Sequence, residues 1–466
     1  MWAQLRSGIL PVPCRRWLRA RLLQVLPAMG SEVVDDWAVP LQPGGEREAL
    51  SRPAMPPGAA STTAHAQVAP RLRCLLVTGA LDVGGMDAVV ALLARRLPEY
   101  GVETAVLHTV GRSPSAGGAQ GRLAQELGAE GVPVFEVRGP DTRCLEAFDP
   151  DVISAHGAAT WVLDAAAELG IPYVDTLHGM HDLLHVNWLE EARRSTRLAR
   201  VVAVSNLVRS QYLAANATFA AEHVVTVPNG FDPGGRIHLD RATARRKLGL
   251  RDEFLVLSLG RYCLQKNTYG LLRAFADVAE DQPSAHLLIA GRVDDPVYAA
   301  QVRRLRDRLP CAERVHLRDH CPQPAALLAA ADAFALDSFF EGWPLATMEA
   351  LCAGLPVVMS EVAGARDQLG PDGVRGWLVP NALGRPEDVG WNAMREARYA
   401  PQQNQEALAS ALSKVCRDRQ HWADARDALA RESRDRFSLD ACLSKHVAVL
   451  TEAAAPRTLA HVTSEG

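Results

Sequence analysis

The stretch FFEGWPLATMEALCAGLPVVMS, Phe339 to Ser360, carries only two charged residues, Glu341 and Glu349. Carboxylates are seldom left in apolar company without a partner or a task. The run AFALDS ahead of them reads as a strand, and Pro344 suits the first position of a helix. Glu341 then falls in the loop before that helix and Glu349 in its second turn. At 1.5 Å per residue the two lie roughly 10 Å apart, enough to touch opposite ends of one elongated ligand. Between them, exposed N–H groups of residues 343 to 346 would meet negative charge. An anion flanked by hydroxyl-bearing groups fits this layout, as in a nucleotide diphosphate joined to a sugar. Standing alone, the same pattern is satisfied by a capping glutamate and a surface helix residue.

A second constellation lies in LGRYCLQKNTYGLLRAF, which places Arg261 and Lys266 in the loop after a strand and Asn267 at the start of the next helix. Two cations five residues apart beside a helix N-terminus make a diphosphate clamp. Lys266 is one of only four lysines among 50 basic residues, the rest being arginines in the manner of a GC-rich genome. His156 and His178 follow the apolar runs DVISA and PYVDTL, at strand ends. His181 and His185 are four apart on the next predicted helix, a spacing open to metal but without a third ligand. They read as a surface pair. Asp149 and Asp151 flank a proline and read as a turn. Gly84 and Gly85 open a helix after CLLVTG without the full G-x-G-x-x-G spacing, a pattern more often a tight turn than a phosphate site.

Short apolar or β-branched runs alternating with amphipathic helices must position these groups, which implies parallel sheets with right-handed crossovers. One series starts at Arg73; a second starts after VPNGFDPGG with FLVLSLG, HLLIAG, RVHL, AFALD, LPVVMS and GWLVP. Two doubly wound domains are expected, at 71–232 and 233–430, with a ligand in the cleft between them. Residues 431–466 would form a helix crossing back to the first domain, and a tail. Residues 1–70 read as an extension and a Pro/Gly/Ala/Ser-rich linker. Its piece CRRWLRARLLQVLP reads either as a basic helix lying on an anionic membrane or as a tail without structure.

At 466 residues, 48% hydrophobic and 22% charged, the chain has the composition of a globular protein with several cores. A net charge of −4 gives no reason to expect nucleic-acid binding. No apolar run approaches the roughly 18 residues of a spanning helix. Nine scattered cysteines without a C-x-x-C pair fit free thiols in a reducing cytoplasm.

Taken in order, DVGGMDAVV, DTLHG, VPNGFD, LGRYCLQKNTYGLLRAF, LLIAGR, FFEGWPLATMEALCAGLPVVMSEVAGARD and GWLVP resemble the family 4 retaining glycosyltransferases of the GT-B fold over about residues 72–450. The resemblance implies an α/β architecture of two Rossmann-like domains facing across a cleft, in a bacterial cytoplasmic enzyme, with peripheral membrane contact open. It implies a UDP- or GDP-linked sugar as donor, an unknown acceptor, no nucleic acid and no required cofactor or metal. Glu341 would hydrogen-bond the transferred sugar and Glu349 the ribose. Arg261 and Lys266 would hold the diphosphate, helped by Gly84, Gly85 and the helix start at Gly342, Trp343, Pro344 and Leu345. His178 matches the histidine near the anomeric carbon and Asn229 the hinge-side asparagine, with base contacts around Gly291, Arg292 and Leu317. Front-face attack, with the leaving phosphate deprotonating the acceptor, is the mechanism the family implies. Three departures stand out: the segment Ala363 to Asp367, the pair Arg318 and Asp319, and an apparent insertion, LGRPEDVGWNAMREARYAPQQNQ. The competing readings are a GT-B phosphorylase or epimerase and a catalytically silent binding subunit.

Overall fold

The computed structural model describes Val34, Leu41 and residues 72–455, except 83, 110–120, 185, 235–239, 322 and 399. The basic N-terminal piece, the linker and His185 lie outside the described residues.

The two series form two parallel sheets. The first contains β1 (Leu72–Thr78), β2 (Val102–Thr109), β3 (Val134–Val137), β4 (Val152–His156), β5 (Tyr173–Leu177), β6 (Arg200–Ala203) and β7 (Val224–Thr226), in the order β3-β2-β1-β4-β5-β6-β7. The second contains β8 (Phe254–Leu259), β9 (Ala285–Ala290), β10 (Val315–Arg318), β11 (Ala333–Leu336), β12 (Val357–Ser360) and β13 (Gly376–Val379), in the order β10-β9-β8-β11-β12-β13. Nearly continuous apolar strands such as CLLV and HLLIA follow from helices covering both faces of each sheet. Each sheet reverses its winding once, between β1 and β4 and between β8 and β11. Loops leaving the carboxyl ends of strands at such a reversal open a crevice, the place where doubly wound sheets bind ligands. The paired ends are flush in the first sheet, where Thr78 lies opposite His156.

Two connections join the domains, and they lie side by side. Phe231 N donates to the Phe437 carbonyl at 2.8 Å, and Phe231 and Ser438 form a parallel bridge. After Ser438 the helix Leu439–Ala454 packs Leu439, Cys442, Leu443, Val449 and Leu450 on the core beside β1 and β4. Among the described residues no helix is long and apolar enough to cross a membrane.

Candidate active site

On the second domain, the loop after β8 is fastened to the loop after β11. Phe339 N donates to the Gln265 carbonyl at 2.9 Å, and Gln265 Nε2 donates to the Phe340 carbonyl at 3.0 Å. This delivers Lys266 Nζ to 2.5 Å from Glu341 Oε1, with the two side chains 18% and 9% exposed. Arg261 leaves the same loop but pairs with Asp294 at 2.5 Å, and Arg292 shares that carboxylate at 2.8 Å. Three cations and two carboxylates thus line the ends of β8, β9 and β11. This surplus of positive charge suits a diphosphate.

The helix after Glu341 runs Leu345–Cys352, one residue later than the sequence suggests, with Pro344 in extended conformation at its N-cap. The fixed φ of proline is compatible with both positions. Its first N–H groups receive no side-chain cap. The Pro344 carbonyl accepts instead from Thr347 Oγ1 and Gln368 Nε2, at 2.8 and 3.1 Å. Glu349 sits in the second turn, half-buried. The opposing helix, Gly85–Arg96, also begins without a side-chain cap, and a Cβ on Gly85 would lie 3.6 Å from Leu345 Cδ1. Two helix starts therefore face each other across the cleft, which concentrates N–H dipoles at one place.

The first domain contributes histidines. His156 ends β4 and His178 follows β5, and the structure brings His156 Nδ1 within 2.8 Å of His178 Nε2. His156 Nε2 lies 3.1 Å from Ser154 Oγ. Burial, with the nearby His181 and His446, pushes His178 down to about 3. Burial drives His156 well below the usual histidine range and His446, on the final helix, down to about 4. All three are neutral imidazoles near pH 7.

The halves touch at the site itself. Gly179 and Gly342 form an antiparallel bridge, and Met180 N donates to the Glu341 carbonyl at 3.1 Å. A Cβ on Gly342 would stand 1.7 Å from the His178 carbonyl oxygen, so only glycine permits this approach.

The other expected positions fall as follows. Asn229 is buried, and the next residue, Gly230, abuts Leu439 and Cys442 at the paired crossovers. Gly291 is pressed on Gly260, where a Cβ would stand 2.0 Å from the carbonyl oxygen. Leu317 is 1% exposed and belongs to the core, and all of β10 is buried. Of the departures, Arg318 is buried and Asp367 reaches the first domain, accepting from Asn206 N and Nδ2 at 3.2 and 3.0 Å. Asp149 and Asp151 serve the turn before β4: Asp149 takes a left-handed conformation and Asp151 accepts from Arg73 N at 2.7 Å. His181 pairs with Asp182 at 3.0 Å. Arg194, Arg197 and Arg200 pair with Asp175, Asp164 and Glu452, which offsets much of the positive charge they bring together.

Sequence reasoning missed Asp337, two residues ahead of FFEG, which is fully enclosed and accepts from Asn267 Nδ2 and Asn404 Nδ2 at 2.8 and 2.7 Å. A charged residue closing the apolar strand AFAL was the available signal.

Two facing Rossmann-like domains, joined by paired crossovers and touching at the loops of both winding reversals, constitute a GT-B fold. Residues 83–234 match the family model for Glycosyltransferase Family 4, and residues 240–390 match that for Glycosyl transferases group 1. The D-inositol 3-phosphate glycosyltransferase of Stackebrandtia nassauensis is 30% identical over 353 residues, covering 65% of this chain and 76% of its own. That of Thermomonospora curvata is 29% identical over 350 residues, covering 65% and 80%. Among solved structures, Anabaena HepE in complex with UDP and glucose superposes with a TM-score of 0.65 at 20% identity, over 82% of this chain and 99% of that one. WaaG, a glycosyltransferase involved in lipopolysaccharide biosynthesis, gives 0.55 at 16%, over 82% and 100%. The chain belongs to the group 1, family 4 glycosyltransferases.

Proposed function

We propose that the protein moves a hexose-type sugar from a nucleotide-diphosphate sugar to a glycan, glycolipid or small-molecule hydroxyl, with retention and without a metal ion. The observation that carries this reading is the Lys266–Glu341 pair, at the contact between the domains. Departure of a nucleotide diphosphate builds negative charge on phosphate, and prepositioned cations stabilise it most where water is excluded. Lys266 and Arg261 supply that charge, and the uncapped N–H groups at Leu345 add to it. An arriving diphosphate competes for Lys266, and the Glu341 carboxylate is then released to accept from sugar hydroxyls. Glu349, farther along the helix, serves the ribose. His178 contributes as a neutral imidazole beside the sugar, and the leaving phosphate takes the acceptor proton.

The UDP and glucose bound by HepE, and the UDP-glucose named for a second HepE complex, favour a UDP-linked donor. The relatives named for D-inositol 3-phosphate make phosphorylated polyols the first acceptors to test. A thermal-shift panel of UDP, GDP and ADP with their sugars should single out one nucleotide. Free ligand at 100 times its Kd stabilises by about 2.7 kcal/mol. Transfer to an acceptor panel, with the anomeric configuration of the product read by NMR, then tests retention. No binding and no transfer with any donor would overturn the reading.

A further inference from the structure

Four polar side chains from three separate segments meet in the interior directly behind Lys266. They are Asn267, Asp337, Gln402 and Asn404, exposed by 1%, 1%, 8% and 1%. Asn267 Nδ2 donates both to Asp337 Oδ2 at 2.8 Å and to Gln402 Oε1 at 2.7 Å. Gln402 Nε2 returns a bond to Asn267 Oδ1 at 2.8 Å, and Asn404 Nδ2 closes on Asp337 Oδ1 at 2.7 Å. A Cβ on Gly270 would stand 2.2 Å from Gln402 Oε1 and 2.4 Å from Asp337 Oδ2, so glycine there leaves the room the cluster occupies. Gln402 and Asn404 come from the segment LGRPEDVGWNAMREARYAPQQNQ, which follows β13.

Asn267 also has a left-handed backbone, φ 45 and ψ 40. Asparagine is one of the few non-glycine residues that enter the left-handed region readily, because its side chain can bond locally. Here three side-chain hydrogen bonds hold Asn267 in that conformation. The turn they impose immediately follows Lys266 and sends that side chain toward Glu341.

We infer that the Asn267–Asp337–Gln402–Asn404 cluster is a positioning device for Lys266, completed by the segment after β13. Asn267 makes the reversal, Asp337 anchors Asn267 to the strand that leads into Glu341, and the segment after β13 supplies the remaining partners. The inference rests on the reading of Lys266 as a donor-phosphate ligand.

The test compares Asp337→Asn, Asn404→Asp and the double variant in the full chain. Asp337→Asn sets one amide against another, but Asn404 Oδ1 has no hydrogen-bond partner, so a flipped Asn404 amide accommodates the change. Asn404→Asp replaces the amide donor with a second carboxyl, relieved only by taking up a proton. The readouts are therefore taken at pH 6 and at pH 9, the effect being largest at pH 9. The double variant restores a donor–acceptor pair. Two readouts are taken: steady-state kinetics with UDP-glucose, and the rate at which acetic anhydride modifies Lys266, with Lys247, Lys414 and Lys445 as internal references by peptide mass spectrometry. Asn404→Asp should lower kcat by about 10- to 100-fold with KM changed by less than about threefold. Its Lys266 should be acetylated several-fold faster relative to the references, and the double variant should recover both properties. Asn267→Gly, which keeps the backbone and deletes the side chain, should raise Lys266 acetylation likewise and serves if Asn404→Asp does not fold. A lower Tm with unchanged Lys266 acetylation and unchanged kcat per folded molecule would overturn the inference. If the wild type transfers from no donor, the functional reading fails, while the acetylation arm still decides the positioning.

Discussion

The Gly342 α-carbon is packed against the His178 carbonyl so closely that no side chain fits between them. A Cβ there would stand 1.7 Å from the oxygen, and the obstacle is backbone rather than a flexible side chain. Relief requires the two domains to part at the bridge between Gly179 and Gly342. Gly342→Ala should therefore widen the cleft and lower kcat/KM by about 100-fold, because misplacement by an ångström is enough for that. Small-angle scattering should report a larger radius of gyration, and activity retained with an unchanged radius would contradict the coupling.

The two glutamates should separate in kinetics. Glu341 lies at the interdomain contact with Lys266, whereas Glu349 lies a turn into the helix. On the proposed reading Glu341→Ala removes contacts that strengthen as the sugar departs, so kcat should fall by about 100-fold or more. Glu349→Ala removes a ribose acceptor, so UDP affinity should weaken by about 10-fold while kcat changes little. Calorimetric titration with UDP alongside steady-state assays distinguishes the two. Equal loss of affinity in both variants would refute this division of labour.

The alternation of apolar runs and helices was legible because parallel strands buried on both faces leave a strong composition signal, as in CLLV and HLLIA. Strand-end logic likewise placed Arg261, Lys266, His156, His178 and Glu341 toward one crevice. It could not tell that Lys266 pairs with Glu341 while Arg261 turns to Asp294, since partner choice depends on loop paths of a few residues. Nothing local to Gln402 indicates that it bonds Asn267, 135 positions away. Leu317, placed near the base by the family resemblance, packs in the core of the second domain, a location its own short strand does not signal.

His156 offers a test of how His178 is held. His178 Nε2 lies 2.8 Å from His156 Nδ1, and both rings are neutral, so one nitrogen donates and the other accepts, which couples the tautomer of His178 to that of His156. His156→Leu leaves that nitrogen without its partner, a loss of about 1–3 kcal/mol in stability or in the barrier. His156→Gln, which keeps a donor and an acceptor, should recover most of the turnover. Because His178 is pushed down to about 3, no histidine ionisation from it should enter the kcat profile between pH 5 and pH 9. A limb near pH 6.5 that disappears in His178→Gln would contradict this assignment.

Acid should destabilise the fold through the same buried imidazoles. Burial pushes His446 down to about 4, whereas the unfolded chain titrates near 6.5, so between these values the unfolded state binds more protons. Its contribution is present above pH 6.5 and is lost as pH falls toward 4, amounting to about 2 kcal/mol between pH 7 and pH 5. Asp337 opposes this: burial pushes its carboxyl up to about 7, against the hydrogen bonds from Asn404 and Asn267, so the folded state binds the extra proton and gains stability as pH falls through 7. Urea unfolding at pH 7 and pH 5 should accordingly show a smaller acid loss for His446→Leu than for the wild type, and a larger one for Asp337→Asn. The comparison is of pH dependence within each variant, so a uniform loss from repacking cancels. Identical pH dependence in all three proteins would exclude both groups as the source.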